Sequence, residues 1–146
     1  MTDPTPPPPP APSYLKAYAD GCDTLGIGDS DPVYAGPGPD KPPAAYTTIL
    51  QTGGLPFNWP TGKIATLTFQ VNTIVPASQP YGTAHERAEA AFESLNEKRA
   101  WTLNGYTAPL TQALQRPYYH GIVDGKHWFS FNVLVRMRKT PAPVTP

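Results

Sequence analysis

The sequence predicts an α+β protein: a two-layer sandwich in which two hairpins form a mostly antiparallel sheet and helices pack on one face. Three observations carry this. The stretch "KIATLTFQVNTIV" (residues 63–75) alternates apolar and polar side chains, the pattern of a strand with one buried face. The stretch "VDGKHWFSFNVLVRMRK" (residues 123–139) sets Asp124-Gly125, a pair suited to a tight hairpin turn, before a second long alternating strand. Between them, Ala84, Ala88, Ala91, Phe92 and Leu95 recur at helical spacing. Paired strands with helices on one side make two layers.

In chain order, Ser13 can cap a first helix through its hydroxyl. Tyr14, Tyr18, Cys22 and Leu25 then form a helical stripe, Gly21 weakens it and Gly26 stops it. Cys22 on this stripe reads as a small core hydrophobe rather than a nucleophile. "DTLGIGDSDP" (residues 23–32) carries several carboxylates but lacks the spacing, glycine and terminal glutamate of an EF-hand, so it reads as a solvated turn. "PVYAG" suggests a short strand. "AAYTTILQTGG" (residues 44–54), β-branched and closed by glycines, pairs with residues 63–75 across the aromatic loop "LPFNWPTG". Thr83 and Glu86 fit a capping box at the start of the second helix. Its charged residues Glu86, Arg87, Glu89, Glu93, Glu97 and Lys98 read as a solvated face.

"PLTQALQRPYYHGIV" (residues 109–123) leads into Asp124-Gly125 as the partner of the last strand, and Pro117 marks an edge or bulge there. In that last strand His127, Phe129, Phe131, Val133, Val135 and Met137 share one face. Trp128, Ser130, Asn132, Leu134, Arg136 and Arg138 share the other.

The chain has 146 residues, 11 Lys+Arg against 11 Asp+Glu, and one cysteine. Neutrality offers no global field toward DNA or an anionic membrane, and a lone cysteine forms no internal disulfide. No stretch approaches a membrane span, and the first residues lack the apolar run of a signal peptide. These features predict a soluble protein made inside a cell or assembled there. Proline is the outlier, with 21 residues. Runs at residues 4–12 and 140–146 favour polyproline II and cannot pack a core. The expected organisation is a proline-rich arm (1–12), one α+β domain (13–139) and a proline-rich tail (140–146).

His85, His120 and His127 fall in no metal-ligand spacing. His120 and His127 flank the last turn and read as exposed hairpin residues near each other. There is no GxSxG, Walker loop or GxGxxG. The reading assigns no catalytic residue, no cofactor and no metal. Lys126, Arg136, Arg138 and Lys139 allow at most a modest contact with nucleic acid or an acidic partner.

"LTFQVNTIV", a short gap, "AHERAEAAFESLN", and a closing strand "FSFNVLVRMRK" together resemble the tail terminator and minor capsid proteins of long-tailed bacteriophages. The resemblance is one of order and texture over residues 13–139. It implies a non-enzymatic virion protein at the head–tail junction, assembled in the host cytoplasm. Its implied partners are itself as a homohexameric ring, the tail tube protein and the head–tail connector or stopper, with non-specific proximity to DNA in the lumen and no membrane. Partner-interface candidates are Phe57 and Trp59 in the aromatic loop, and Trp128, Leu134, Arg136 and Arg138 on the mixed strand face. The alternatives are a head–tail adaptor or head-completion protein of the same neck, and a cellular binding module using its proline arm.

Overall fold

The computed structural model describes residues 13–28, 31–54, 64–103 and 105–139. The expected arms, and the loop with Phe57 and Trp59, lie outside the described residues. Helix α1 (Tyr14–Leu25) begins where Ser13 Oγ accepts from Lys16 N at 3.1 Å and ends at Gly26, which takes φ 88°. Both caps satisfy backbone groups that a helix end leaves orphaned. Tyr18 and Cys22 are fully buried. Gly21 has a reason beyond helix weakness. A Cβ there would stand 2.1 Å from Leu103 Cδ2, so its absence lets the helix lie close on the sheet.

Strand β1 (Val33–Ala35) pairs in parallel with β2 (Tyr46–Gly54), which forms the expected antiparallel pair with β3 (Ile64–Pro76). Helix α2 (Tyr81–Leu95) buries Ala84, Ala88, Ala91, Phe92 and Leu95, the five residues of the expected stripe. Its start differs from expectation. The N-cap is Pro80, with no side-chain cap, so Thr83 lies inside the first turn and the capping box is not made. The helix also ends sooner. Glu97 takes a left-handed φ of 59°, and Lys98 already belongs to a strand.

That strand is the main departure. β4 (Lys98–Leu103) and β5 (Tyr106–Ala113) form a hairpin, followed by β6 (Tyr118–Val123) and β7 (Lys126–Lys139). The stretch expected to be one partner of β7 is thus two strands, β5 and β6. Both pair with β7, β5 along Val133 to Lys139 and β6 along Lys126 to Ser130. The interruption contains Pro117, which cannot donate to a ladder. The turn into β7 is as expected: Asp124 and Gly125 both have positive φ, 50° and 73°.

The sheet is mixed and seven-stranded, in the order β1-β2-β3-β7-β5-β4 with β6 beside β7. Together with two helices it is an α+β sandwich. β3 and β7 form its spine, in register from Ile64 opposite Arg138 to Pro76 opposite Lys126. Leu67, Phe69, Val71, Phe131, Val133 and Val135 meet α1 and α2 in one apolar cluster, where Tyr18 stacks on Phe69 with centroids 4.7 Å apart. Each large side chain so buried contributes roughly 1.5–3 kcal/mol. Both helices therefore lie on one face of the spine, and the other face is left for different use.

Candidate functional site

The face without helices carries the even-numbered residues of β7. Trp128 opposes Ile74, Ser130 opposes Asn72, Asn132 opposes Gln70, Leu134 opposes Thr68 and Arg136 opposes Thr66. Trp128 and Leu134 are half-buried, Arg136 and Arg138 exposed. The four described candidates thus share a face, as the alternation required. They do not form one patch, because ten residues of strand separate Trp128 from Arg138 by about 33 Å.

A polar chain crosses this face. Asn72 Nδ2 donates to Thr48 Oγ1 at 3.1 Å, Ser130 Oγ donates to Asn72 Oδ1, and His120 Nε2 meets Ser130 Oγ at 2.7 Å. Thr48, Asn72 and Ser130 are buried, and buried polar groups persist when they are bonded to one another. The direction of donation matters. The single Ser130 proton is committed to Asn72, so His120 must donate to Ser130 rather than accept from it. A general base would do the opposite. The pair is therefore arranged to lock strands β2, β3, β7 and β6 together, not to activate a nucleophile.

Above the chain is a groove of about 280 Å³ lined by Leu50, Gln70, Asn72, His120, Val123, Trp128 and Ser130. The Trp128 indole nitrogen is buried and has no hydrogen-bond partner among the described residues. The loop after β1 borders this face: a Cβ added at Gly38 would meet Tyr46 and Thr48 at ordinary contact distance.

His127 lies on the other side of the sheet. It is buried, contrary to the exposed site expected, with Nδ1 at 2.8 Å from Tyr119 Oη and Nε2 at 3.0 Å from Gln79 O. A bulge between Tyr119 and Gly121 separates the two histidines by face. Among the described residues, no group of three or more His, Cys, Asp or Glu could hold a metal.

Pro117 marks an edge in the sequence, but the apolar surface exposed there is seen only in the fold. The exposed large hydrophobics of the described residues are Tyr81, Leu114, Tyr118, Tyr119, Ile122 and Val123. Four are on β6, Leu114 just precedes it, and Tyr81 packs edge-on against Tyr119 at 5.0 Å. Among the described residues β6 pairs with β7 on one side only. An apolar strand with an open edge is a ready surface for another chain. The signal was present in "LQRPYYHGIV", where apolar residues sit on both sides of an edge-marking proline.

Arg87 is another correction. It pairs with Asp31 and donates to the Gly28 carbonyl, so it pins the turn after α1 to α2 rather than lying on a solvated face. The cavity it lines, about 500 Å³ with Glu86, Thr83, Gln79 and Ser94, has its cation already neutralised. Cys22 is buried and its thiol is pushed well above its ordinary pKa, chiefly by burial. That places it in the core as expected and makes it a poor nucleophile.

No family model and no curated protein matches the sequence. In fold, the chain is similar to a solved chain from the "virion of native gene transfer agent (GTA) particle", with TM-score 0.59 and 17% identity over 86% of this chain and 94% of that one. A second solved chain, of no stated function, is similar with TM-score 0.54 and 13% identity over 88% and 93%. These likenesses give the α+β fold over nearly the full length of both chains. Among the described residues, no helix is long and apolar enough to cross a membrane.

Proposed function

We propose that this chain is a structural protein of a phage-like virion, and within it a tail terminator. Six copies close as a ring on the end of the tail tube and join it to the connector or stopper of the head. Residues 13–139 act as one domain, with the proline-rich segments as arms. The observation that carries this reading is the one-sided distribution of apolar surface. The exposed large hydrophobics gather at the β6 edge, while the helices close one sheet face and leave the other open. An apolar edge on one side of the subunit can meet a different surface of the next copy, and such a head-to-tail contact closes by rotation into a ring.

The likeness to a chain of a gene transfer agent virion supports the virion setting. The order of strand, alanine-rich helix and closing strand supports the terminator role. Arg136 and Arg138, exposed at one end of the open face, suit a lumen through which DNA passes. The arrangement around Ser130 argues against hydrolytic chemistry, since its proton points away from His120. The test is a particle lacking this protein. Overlong tails, or tails unattached to heads, are the expected result; normal-length tails joined to heads would overturn the reading.

A further inference from the structure

We infer that the groove on the open sheet face binds the proline-rich segment of residues 6–10 from a second copy of this chain. The terminator reading leaves the proline run unexplained, and this inference goes beyond that reading.

The chemistry of groove and ligand agree. The groove is bounded by the indole of Trp128, by Val123 and Leu50, and by the polar chain through Asn72 and Ser130. Proline rings pack on such aromatic and aliphatic walls, and a polyproline II helix arrives already ordered. A run of prolines has carbonyl acceptors and no N–H donors, so it brings no buried donor that needs a partner. The sequence supplies such a run, five consecutive prolines at residues 6–10.

Reach decides which copy provides it. Helix α1 starts beside β5, with Tyr14 and Tyr106 ring centroids 4.8 Å apart, and Tyr106 opposes Lys139. Trp128 lies eleven residues back along β7, about 36 Å away at strand spacing. Pro10 is three residues from Ser13, a span of about 10 Å in polyproline II. The chain's own prolines therefore cannot lie in its own groove, and the tail of residues 140–146 spans only about 22 Å. The occupant comes from a neighbour.

The test uses the full-length chain, isotope-labelled and dilute, titrated with a synthetic peptide of residues 1–13. Saturable shifts of the Trp128 indole N–H and of His120, Val123 and Ser130 are expected. Val123→Asp, at an exposed position on the groove wall, should weaken the peptide by about tenfold or more, since it places a charge against the proline rings. Its melting temperature should stay near that of the parent. A peptide with residues 6–10 changed to glycine should not bind. The inference is overturned by no saturable shift at millimolar peptide, by equal binding of the glycine peptide or to Val123→Asp, or by preference for a peptide of residues 140–146. None of these outcomes bears on tail length, so failure here is distinct from failure of the terminator reading.

Discussion

Tyr119 Oη lies 2.8 Å from His127 Nδ1 and fastens the edge strand β6 to the buried side of β7. His127 Nε2 sits 3.0 Å from the Gln79 carbonyl oxygen. A carbonyl only accepts, so Nε2 carries the proton and the Tyr119 hydroxyl donates to Nδ1 in the neutral ring. One side chain thus joins the edge strand, the spine of the sheet and the turn before α2.

Tyr119→Phe should therefore lower stability by about 0.5–1.5 kcal/mol, the net worth of a partly buried hydrogen bond. His127→Ala should cost more, because it also leaves the Gln79 carbonyl without its donor and opens space beside Tyr81 and Tyr119. Thermal unfolding of both variants checks the order. Equal losses would mean that the Gln79 contact carries no weight.

The two faces of β7 make a sharper contrast. Phe131 is buried against Phe92 with ring centroids 5.9 Å apart. Phe131→Asp puts a charge in that core and should cost about 4 kcal/mol or more, enough to unfold a marginal protein. Asn132→Asp, on the open face, should change stability by about 1 kcal/mol or less. The measurement is chemical denaturation of the two variants side by side.

Much of this was legible from sequence because period-two alternation and helical stripes are local signals. Phe69, Val71, Phe131 and Val133 face the helices as their alternation requires. What was missed depends on contacts that a window cannot see. "NEKRA" continues a charged helical pattern, and this hides β4 in the helix tail. Yet Leu103 pairs with Tyr106, and the sequence between them, Asn-Gly, is a strong hairpin signal. Strict alternation puts His120 on the face of His127, and the bulge between Tyr119 and Gly121 shifts the count by one. Arg87 looked solvated because its partner Asp31 is on a distant segment. Of the candidate site, the shared face of Trp128, Leu134, Arg136 and Arg138 was readable, whereas their spread along the strand and the apolar edge at β6 were not.

Alkaline stability follows from buried acids, Cys22 first and the buried tyrosines after it. Burial pushes both Cys22 and Tyr18 up from ordinary values of 9.0 and 10.0, and each also feels the other or a nearby charge. Both are neutral in the folded state at pH 7. As pH rises past 9.0 the unfolded chain releases the Cys22 proton while the folded chain keeps it. The unfolded state then binds fewer protons, so stability falls, by up to about 1.4 kcal/mol per pH unit for each such group. The stabilising term is fully present below pH 9.0 and is lost above it. Cys22→Ala should delay the onset to near pH 10.0, where Tyr18, Tyr46 and Tyr106, all raised by burial, take over. A series of denaturation midpoints from pH 7 to 11 reads this out, with about one unit between the two onsets. Superimposable curves would remove Cys22 from the account.

The last prediction separates fold from assembly. Ile122 is 60% exposed at the open edge of β6. Ile122→Glu touches no part of the helix–sheet core, so the isolated chain should melt within about 0.5 kcal/mol of the parent. In the proposed ring, with β6 at the lateral contact, the same substitution would put a carboxylate where water is excluded and an unpaired charge is costly. Particles carrying Ile122→Glu should therefore show overlong or headless tails, although the protein is folded and abundant. An equivalent charge at Gln112, whose neighbour Leu134 lies on the open face, tests whether the defect is specific to the edge. Normal tails with Ile122→Glu and defective tails with Gln112→Glu would move the lateral contact from the β6 edge to the open face. Defects confined to Ile122→Glu would fix it at the edge, where the exposed apolar side chains are concentrated.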